Sequence, residues 1–207
     1  MRSIPARLVL MAATLFSLLA SPLGAAKLVS AASLTFVVNS NQDAHDLTVG
    51  DGLCATNTGT CTIRAAIEEA NAQTIGSTIT ISVPAGSYVL TLGVLAITGN
   101  TVAVNGAGQS STVIAANRKS QVLSVAKSTR VTVTRLTIKG GNAGPAKGGA
   151  IANRGYTNLN GTTITASTSA QGGGIWNQGT LIVSNSTISG NSTNVGRTGT
   201  KDRKSVV

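Results

Sequence analysis

Part of the sequence repeats after 24 residues, and this spacing constrains the fold more than any other feature. The segment GGAIANRG begins at Gly148, and the related segment GGGIWNQG begins at Gly172. Self-similarity at a period of about 20–50 residues is typical of solenoids and repeat arrays. The paired positions are Gly148 and Gly172, Gly149 and Gly173, Ile151 and Ile175, Asn153 and Asn177, Gly155 and Gly179, and Ile164 and Ile188.

The repeat continues towards the N-terminus and has the periodicity of strands. Ile138 and Ile114 extend the isoleucine series that contains Ile164 and Ile188, with spacings of 24, 26 and 24 residues. Apolar residues alternate within each unit, as at Val131 and Val133, and glycine and asparagine separate the runs. Alternation bounded by such residues predicts short strands joined by tight turns. A propeller blade needs about 40–50 residues, so the sequence predicts a parallel β-helix.

Stacked coils of a β-helix lie about 4.8 Å apart, so equivalent side chains lie one above another. We therefore expect the isoleucines to fill the interior and the asparagines to form amide ladders. Glycine is expected at corners that need a positive φ or a close approach of two backbones.

One amphipathic helix is predicted before the strands, in the segment TIRAAIEEANAQ. Thr62 is a suitable N-cap residue, and the polar residues Arg64, Glu68 and Glu69 lie on the side opposite the apolar stripe. Such a helix must cover apolar surface, and we expect it to cap the first coil. The apolar stripe consists of Ile63, Ala66, Ile67 and Ala70.

The N-terminal residues have the pattern of a secretory signal. Arg2 and Arg7 precede the apolar run LVLMAATLFSLLA, and small residues follow it. The run is shorter than the roughly 20 residues that span a bilayer, so we expect cleavage near Ala31 or Ala32. No later segment is expected to cross a membrane. Export implies an oxidising compartment, which favours a disulfide between Cys54 and Cys61.

The cap sequence resembles a known family of secreted bacterial proteins. Residues 37–73 contain VNS, GDG before Cys54, and TIRAAI after Cys61. These elements are similar to the CSLREA-type module that precedes β-helix coils, and the Gly-Gly-x-Ile repeats resemble those of polymorphic outer-membrane adhesins. The family's Ser-Leu-Arg-Glu is replaced here by Thr62-Ile63-Arg64-Ala65, which removes half of a capping box. The resemblance implies an all-β, right-handed parallel β-helix at a bacterial cell surface or outside the cell.

Charge is distributed unevenly along the chain. The formal net charge is +10, and no carboxylate side chain occurs from Ala70 through Lys201. Glycoside hydrolysis normally needs two carboxyl groups, and Ca²⁺-dependent chemistry needs acidic oxygen ligands. We therefore expect no catalytic residues in these coils. The six acids are Asp43, Asp46, Asp51, Glu68, Glu69 and Asp202.

Two binding hypotheses remain open. Asp43, Asp46 and Asp51 are a weak candidate Ca²⁺ site, although aspartate is also common in turns; no other cofactor is predicted. Trp176 either stacks on a sugar ring or makes a lateral packing contact. The basic surface either attracts acidic glycans or serves solubility. Nucleic acid is not predicted as a partner, because the basic residues are scattered and no aromatic residues interleave with them.

The sequence thus predicts four regions: a signal (1–32), a cap module with a disulfide loop and a helix (33–76), β-helix coils (77–196), and an irregular tail (197–207) that is truncated or artefactual. The favoured function is a secreted or surface scaffold of adhesin type that binds polysaccharide or host glycans. The alternative is the N-terminal part of a β-helix polysaccharide lyase or glycoside hydrolase whose catalytic coils lie downstream.

Overall fold

The computed structural model describes residues 33–194. Fifteen strands and one helix occur in this range. The helix, α1, spans Ile63–Ala72. The strands are β1 Ser33–Val37, β2 Thr78–Val83, β3 Gly86–Val89, β4 Leu95–Ile97, β5 Thr101–Gly106, β6 Thr112–Ala115, β7 Leu123–Val125, β8 Arg130–Lys139, β9 Ile151–Asn153, β10 Tyr156–Thr165, β11 Thr168–Ser169, β12 Ile175–Asn177, β13 Thr180–Ser184, β14 Thr187–Ser189 and β15 Ser192–Thr193.

The strands stack as a β-solenoid of about four turns. The longest sheet has the order β1-β2-β5-β8-β10-β13, and a second sheet has the order β12-β9-β7-β4. The strand pairs in both sheets are parallel. Each coil therefore pairs its backbone with the coils on either side, as the repeat spacing predicted.

The register confirms that the isoleucines stack. Ile114 lies beside Ile138, Ile138 beside Ile164, and Ile164 beside Ile188. Ile151 lies beside Ile175 in the second sheet. The side chains of Ile138, Ile151 and Ile164 are at most 1% exposed. The repeated isoleucines therefore form the interior of the solenoid, and alternate positions on each strand face outward.

Asparagine and glycine have the predicted structural roles at the corners. Asn153 is fully buried, and its side-chain amide donates to Asn177 Oδ1 at 2.6 Å, which forms one rung of an amide ladder. Gly148 and Gly172 have φ of +76° and +65°, a region that glycine adopts without strain. A Cβ at Gly149 would lie 2.1 Å from the carbonyl oxygen of Gly173 in the next coil. Adjacent coils are thus too close at this corner for any side chain.

Helix α1 closes the N-terminal end of the core, as predicted. Thr62 adopts an extended conformation, and its hydroxyl accepts a hydrogen bond from Ala65 N at 3.1 Å. Ile63, Ala66, Ile67 and Ala70 are all buried in one cluster with residues of the first strands. The side of the helix opposite this stripe is also packed, because Arg64 is 6% exposed and Glu69 is fully buried.

The predicted disulfide joins Cys54 to Cys61, seven residues apart, beside the start of α1. Cys61 is buried within the core cluster, and its backbone N–H donates to Asn39 Oδ1 at 2.8 Å. The cross-link therefore holds the loop against both the helix and the segment that follows β1.

Breaking this disulfide is expected to lower the free energy of unfolding by about 2.5 kcal/mol, the loop-entropy value for roughly eight residues. The measurement is urea unfolding of the oxidised protein, the reduced protein and a Cys54→Ser/Cys61→Ser variant. The reduced protein and the variant should unfold at the same urea concentration, below the midpoint of the oxidised protein. An unchanged midpoint after reduction would contradict the prediction.

Two of the predicted regions lie outside the described residues: the signal at 1–32 and the tail at 197–207. Among residues 33–194, α1 is the only helix, and no helix there has the length and apolar character needed to cross a membrane.

Candidate functional site

The corner between the second sheet and the longest sheet collects cationic and aromatic side chains. Among residues 33–194 the chain passes this corner four times, from β4 to β5, from β7 to β8, from β9 to β10 and from β12 to β13. Because the coils stack in register, side chains from successive passes become neighbours. We call the following set the basic corner, in which Lys147 lies before β9 and joins the others through its contact with the Trp176 ring: Arg130, Lys147, Arg154, Tyr156 and Trp176.

The first pair in the basic corner is Arg130 and Tyr156. These residues are register partners in neighbouring strands, at the starts of β8 and β10. The guanidinium carbon of Arg130 lies 4.7 Å from the centre of the Tyr156 ring, within the range of a cation–π interaction. Arg130 is exposed and Tyr156 is half-buried. The pair therefore presents both a positive charge and part of an aromatic surface to solvent.

Two cations lie against the ring of Trp176. The ammonium of Lys147 is 4.8 Å from the ring centre, and the guanidinium carbon of Arg154 is 5.3 Å away. Trp176 is paired with Ala152 of the preceding coil, whose small side chain leaves room for the larger ring beside it. Trp176 is half-buried, so part of its indole remains exposed beside these cations.

Comparison with protein family models, with curated proteins and with solved structures finds no match for this chain.

The basic corner is not neutralised by acids of its own coils. No carboxylate side chain occurs from residue 70 to residue 201, and Arg130, Lys147 and Arg154 are all exposed. Guanidinium and ammonium groups pair strongly with carboxylate, sulfate and phosphate. The arrangement is suited to binding an anion that also carries an apolar face.

The weak Ca²⁺ candidate is divided by the structure. Asp43 forms an ion pair with Arg64 instead. Asp46 and Asp51 lie beside Glu69, and one carboxylate oxygen from each of these three residues lies within 4.8 Å of the other two. The Asp46 carboxylate accepts hydrogen bonds from the N–H groups of Thr48 and Ala55. These acids organise the loop between β1 and α1 through backbone hydrogen bonds.

Glu69 makes the corresponding contacts from the helix side of the cluster. Its carboxylate accepts hydrogen bonds from Gly50 N at 2.5 Å, Gly52 N at 2.6 Å and Gln73 Nε2 at 2.5 Å. A fully buried carboxylate with three donors is satisfied by the protein itself. Glu69 therefore holds the loop between β1 and α1 against the helix.

The ion pair between Asp43 and Arg64 joins the cap to the first coil. Arg64 Nε lies 2.6 Å from Asp43 Oδ1, and the two side chains are 7% and 2% exposed. Burial raises the pKa of the Asp43 carboxyl, but Arg64 and the backbone N–H groups of Leu92 and Thr91 lower that pKa further, so the net shift is downward. The group is held as a carboxylate.

His45 also belongs to the cap and pairs with Glu68, Nδ1 to Oε1 at 2.6 Å, with the histidine 64% exposed. This histidine is exposed and lies in the loop between β1 and α1. It lies in the cap module, whereas the basic corner belongs to the coils.

Four members of the basic corner were missed as site residues by sequence reasoning, which singled out Trp176 alone. The basic residues were interpreted as scattered and without interleaved aromatics. One sequence feature does indicate the pairing of Arg130 with Tyr156. These residues are 26 residues apart, which is one of the repeat spacings found for the isoleucines. Applying that spacing to the exposed positions would have paired them.

Proposed function

We propose that this protein is an exported, non-enzymatic scaffold of the bacterial cell surface that binds an acidic polysaccharide at the basic corner. The observation that carries the proposal is the placement of Tyr156 and Trp176 beside cations from adjacent coils. An aromatic face packs against the apolar face of a sugar ring, while arginine and lysine pair with its acidic substituents.

Export and surface location are supported by two features. A disulfide between Cys54 and Cys61 is typical of proteins that fold in oxidising compartments. The resemblance of residues 37–73 to the CSLREA-type module of secreted β-helix proteins supports the same location. The solenoid that follows is a rigid rod whose repeated outer surface suits a stalk or adhesin.

Removing charge at the basic corner is expected to weaken polysaccharide binding at least about tenfold, because one or two charge-assisted hydrogen bonds are lost. The ligand in the experiment is immobilised polygalacturonate, with neutral dextran as the comparison. Lys147→Gln/Arg154→Gln and Trp176→Ala should both bind more weakly than the unmodified protein, and added salt should weaken the remaining binding.

The matched control is Arg135→Gln/Lys139→Gln, which removes two charges from the far half of β8 and should retain most of the binding. Equal losses in the two double variants would indicate attraction by net charge alone and would contradict a site at the corner. The reaction mixtures are also examined for shortened polygalacturonate, because cleavage would favour the lyase or hydrolase alternative.

A further inference from the structure

The turns at the basic corner stack on one another along the solenoid axis. Lys127 is exposed and lies in the turn between β7 and β8. Arg154 lies in the corresponding turn of the next coil, where its backbone N–H donates to the carbonyl oxygen of Val125 at 2.9 Å. Gln178 follows in the coil after that, and its N–H donates to the carbonyl oxygen of Asn153 at 2.8 Å. Lys127 and Arg154 are therefore neighbours in one column of side chains.

The backbones of these stacked turns are in direct contact. A Cβ atom at Gly155 would collide with the carbonyl oxygens of Ala126 and Thr129, and one at Gly179 would collide with the carbonyl oxygen of Gly155. Coils in such contact are separated by the strand spacing of about 4.8 Å. Successive coils therefore present their side chains at intervals comparable with the length of one sugar ring in a polysaccharide.

Each of the three stacked coils supplies a cation to this column. The first coil has Lys127 and Arg130, and the second has Arg154. At the third coil, the ammonium of Lys147 lies 4.8 Å from the centre of the Trp176 ring. Positive charge is thus repeated once or twice per coil in the direction of the axis.

The column of charge is narrow in the direction of the strands. On the longest sheet, the register places Thr132, Asn158 and Ile182 side by side, two residues beyond the starts of β8, β10 and β13. None of these three side chains is charged, and the next cation along β8 is Arg135. A polyanion lying along a strand would leave the cations of the corner at once, whereas one lying along the axis would meet a cation in every coil.

Helix α1 limits the column at its N-terminal side. In the turn between β4 and β5, the N–H of Thr98 donates to Asn71 Oδ1, and the side-chain amide of Asn100 donates to the carbonyl oxygen of Gln73. Residues 98–100 include no cation. This turn is held by the cap, so the column of charge begins at Lys127.

We propose that the ligand is a polysaccharide with an acidic group on every sugar, bound parallel to the solenoid axis with one sugar per coil. This inference rests on the proposed function, because it specifies which acidic polysaccharide the basic corner binds. Lys127 is a further binding residue in this arrangement, since it pairs with the acid at the first coil beside Arg130.

The experiment compares fragments of polygalacturonate, which has a carboxylate on every sugar, with fragments of hyaluronan, which has one on every second sugar. Fragments with equal numbers of carboxylates are titrated into the purified chain by calorimetry. The polygalacturonate fragment should bind about tenfold more tightly, because hyaluronan leaves at least one coil without its charge-assisted contact. Equal affinities would overturn the one-sugar-per-coil arrangement and leave the proposed function in place, whereas binding of neither fragment would overturn both.

Lys127→Gln tests the added contact in the same titration. It should weaken binding of the polygalacturonate fragment about two- to fivefold, the contribution of one exposed ion pair, because Arg130 remains in that coil. Lys119→Gln removes the same charge from an exposed position before β7 and should leave the affinity unchanged. Equal losses in the two variants would show that only net charge matters and would overturn the assignment of Lys127.

Discussion

Replacing Arg64 with alanine is expected to lower the free energy of unfolding by about 3–5 kcal/mol, the cost of removing one partner from a buried ion pair. The substitution leaves the Asp43 carboxylate, 2% exposed, without its cation. It also removes the donors to the carbonyl oxygens of Gly93 at 2.8 Å and Val94 at 3.2 Å. One side chain therefore connects the helix, the loop after β1 and the loop before β4.

Equilibrium unfolding in urea tests this expectation. Arg64→Lys is the informative second variant, because it retains the charge and loses the planar fork that contacts both carboxylate oxygens. Arg64→Lys should lower the free energy of unfolding, but by less than Arg64→Ala does. Arg118→Gln is the control, since it removes an exposed cation from a turn and should change stability by less than about 0.5 kcal/mol. If Arg64→Ala matches this control, the pair does not hold the cap.

The pH dependence of stability provides a second measurement of the same pair. The pKa of Asp43 is lower in the folded protein than its ordinary value of about 3.9. The folded state therefore binds the proton less readily than the unfolded state does. The stability from this carboxylate is fully present above about pH 4 and is lost as the pH falls through the folded pKa. In Arg64→Ala this acid-dependent loss should be smaller.

The sequence alone was sufficient for the solenoid and its cap because both follow from short-range patterns. The isoleucine spacing identified stacked positions that the strand register confirms, and Thr62 with the apolar stripe identified the helix. The earliest coils are less regular: Thr78 pairs with Thr101 after 23 residues, and Thr101 pairs with Arg130 after 29. Loops of different lengths between the strands removed the repeat signal there.

The buried polar contacts of the cap were beyond sequence reasoning for a physical reason. Arg64 meets Asp43 across 21 residues of irregular chain, and Glu69 meets Gly50 across 19. No periodicity relates such positions, and charged residues are usually exposed. Only the path of the loop between β1 and α1 shows that these charges are enclosed. The same limitation applied to Lys147 and Trp176, because the repeat position that pairs with Trp176 is Ala152 and not Lys147.

Ile164→Ala tests whether the stacked isoleucines carry the stability of the coils. Ile164 is fully buried between Ile138 and Ile188, so truncation leaves a cavity that neighbouring coils cannot close. The expected loss of unfolding free energy is about 2–5 kcal/mol. The matched control is Ile188→Ala, the same position one coil further along, where the side chain is only partly buried.

The two alanine variants differ only in what covers the side chain, so their difference isolates the effect of the next coil. In a solenoid each coil is stabilised by its own contacts and by its interfaces with adjacent coils. Ile188→Ala should therefore cost less than half as much as Ile164→Ala when both are unfolded in urea at low protein concentration. Equal losses under those conditions would indicate that the Ile188 side chain is already covered in a single chain.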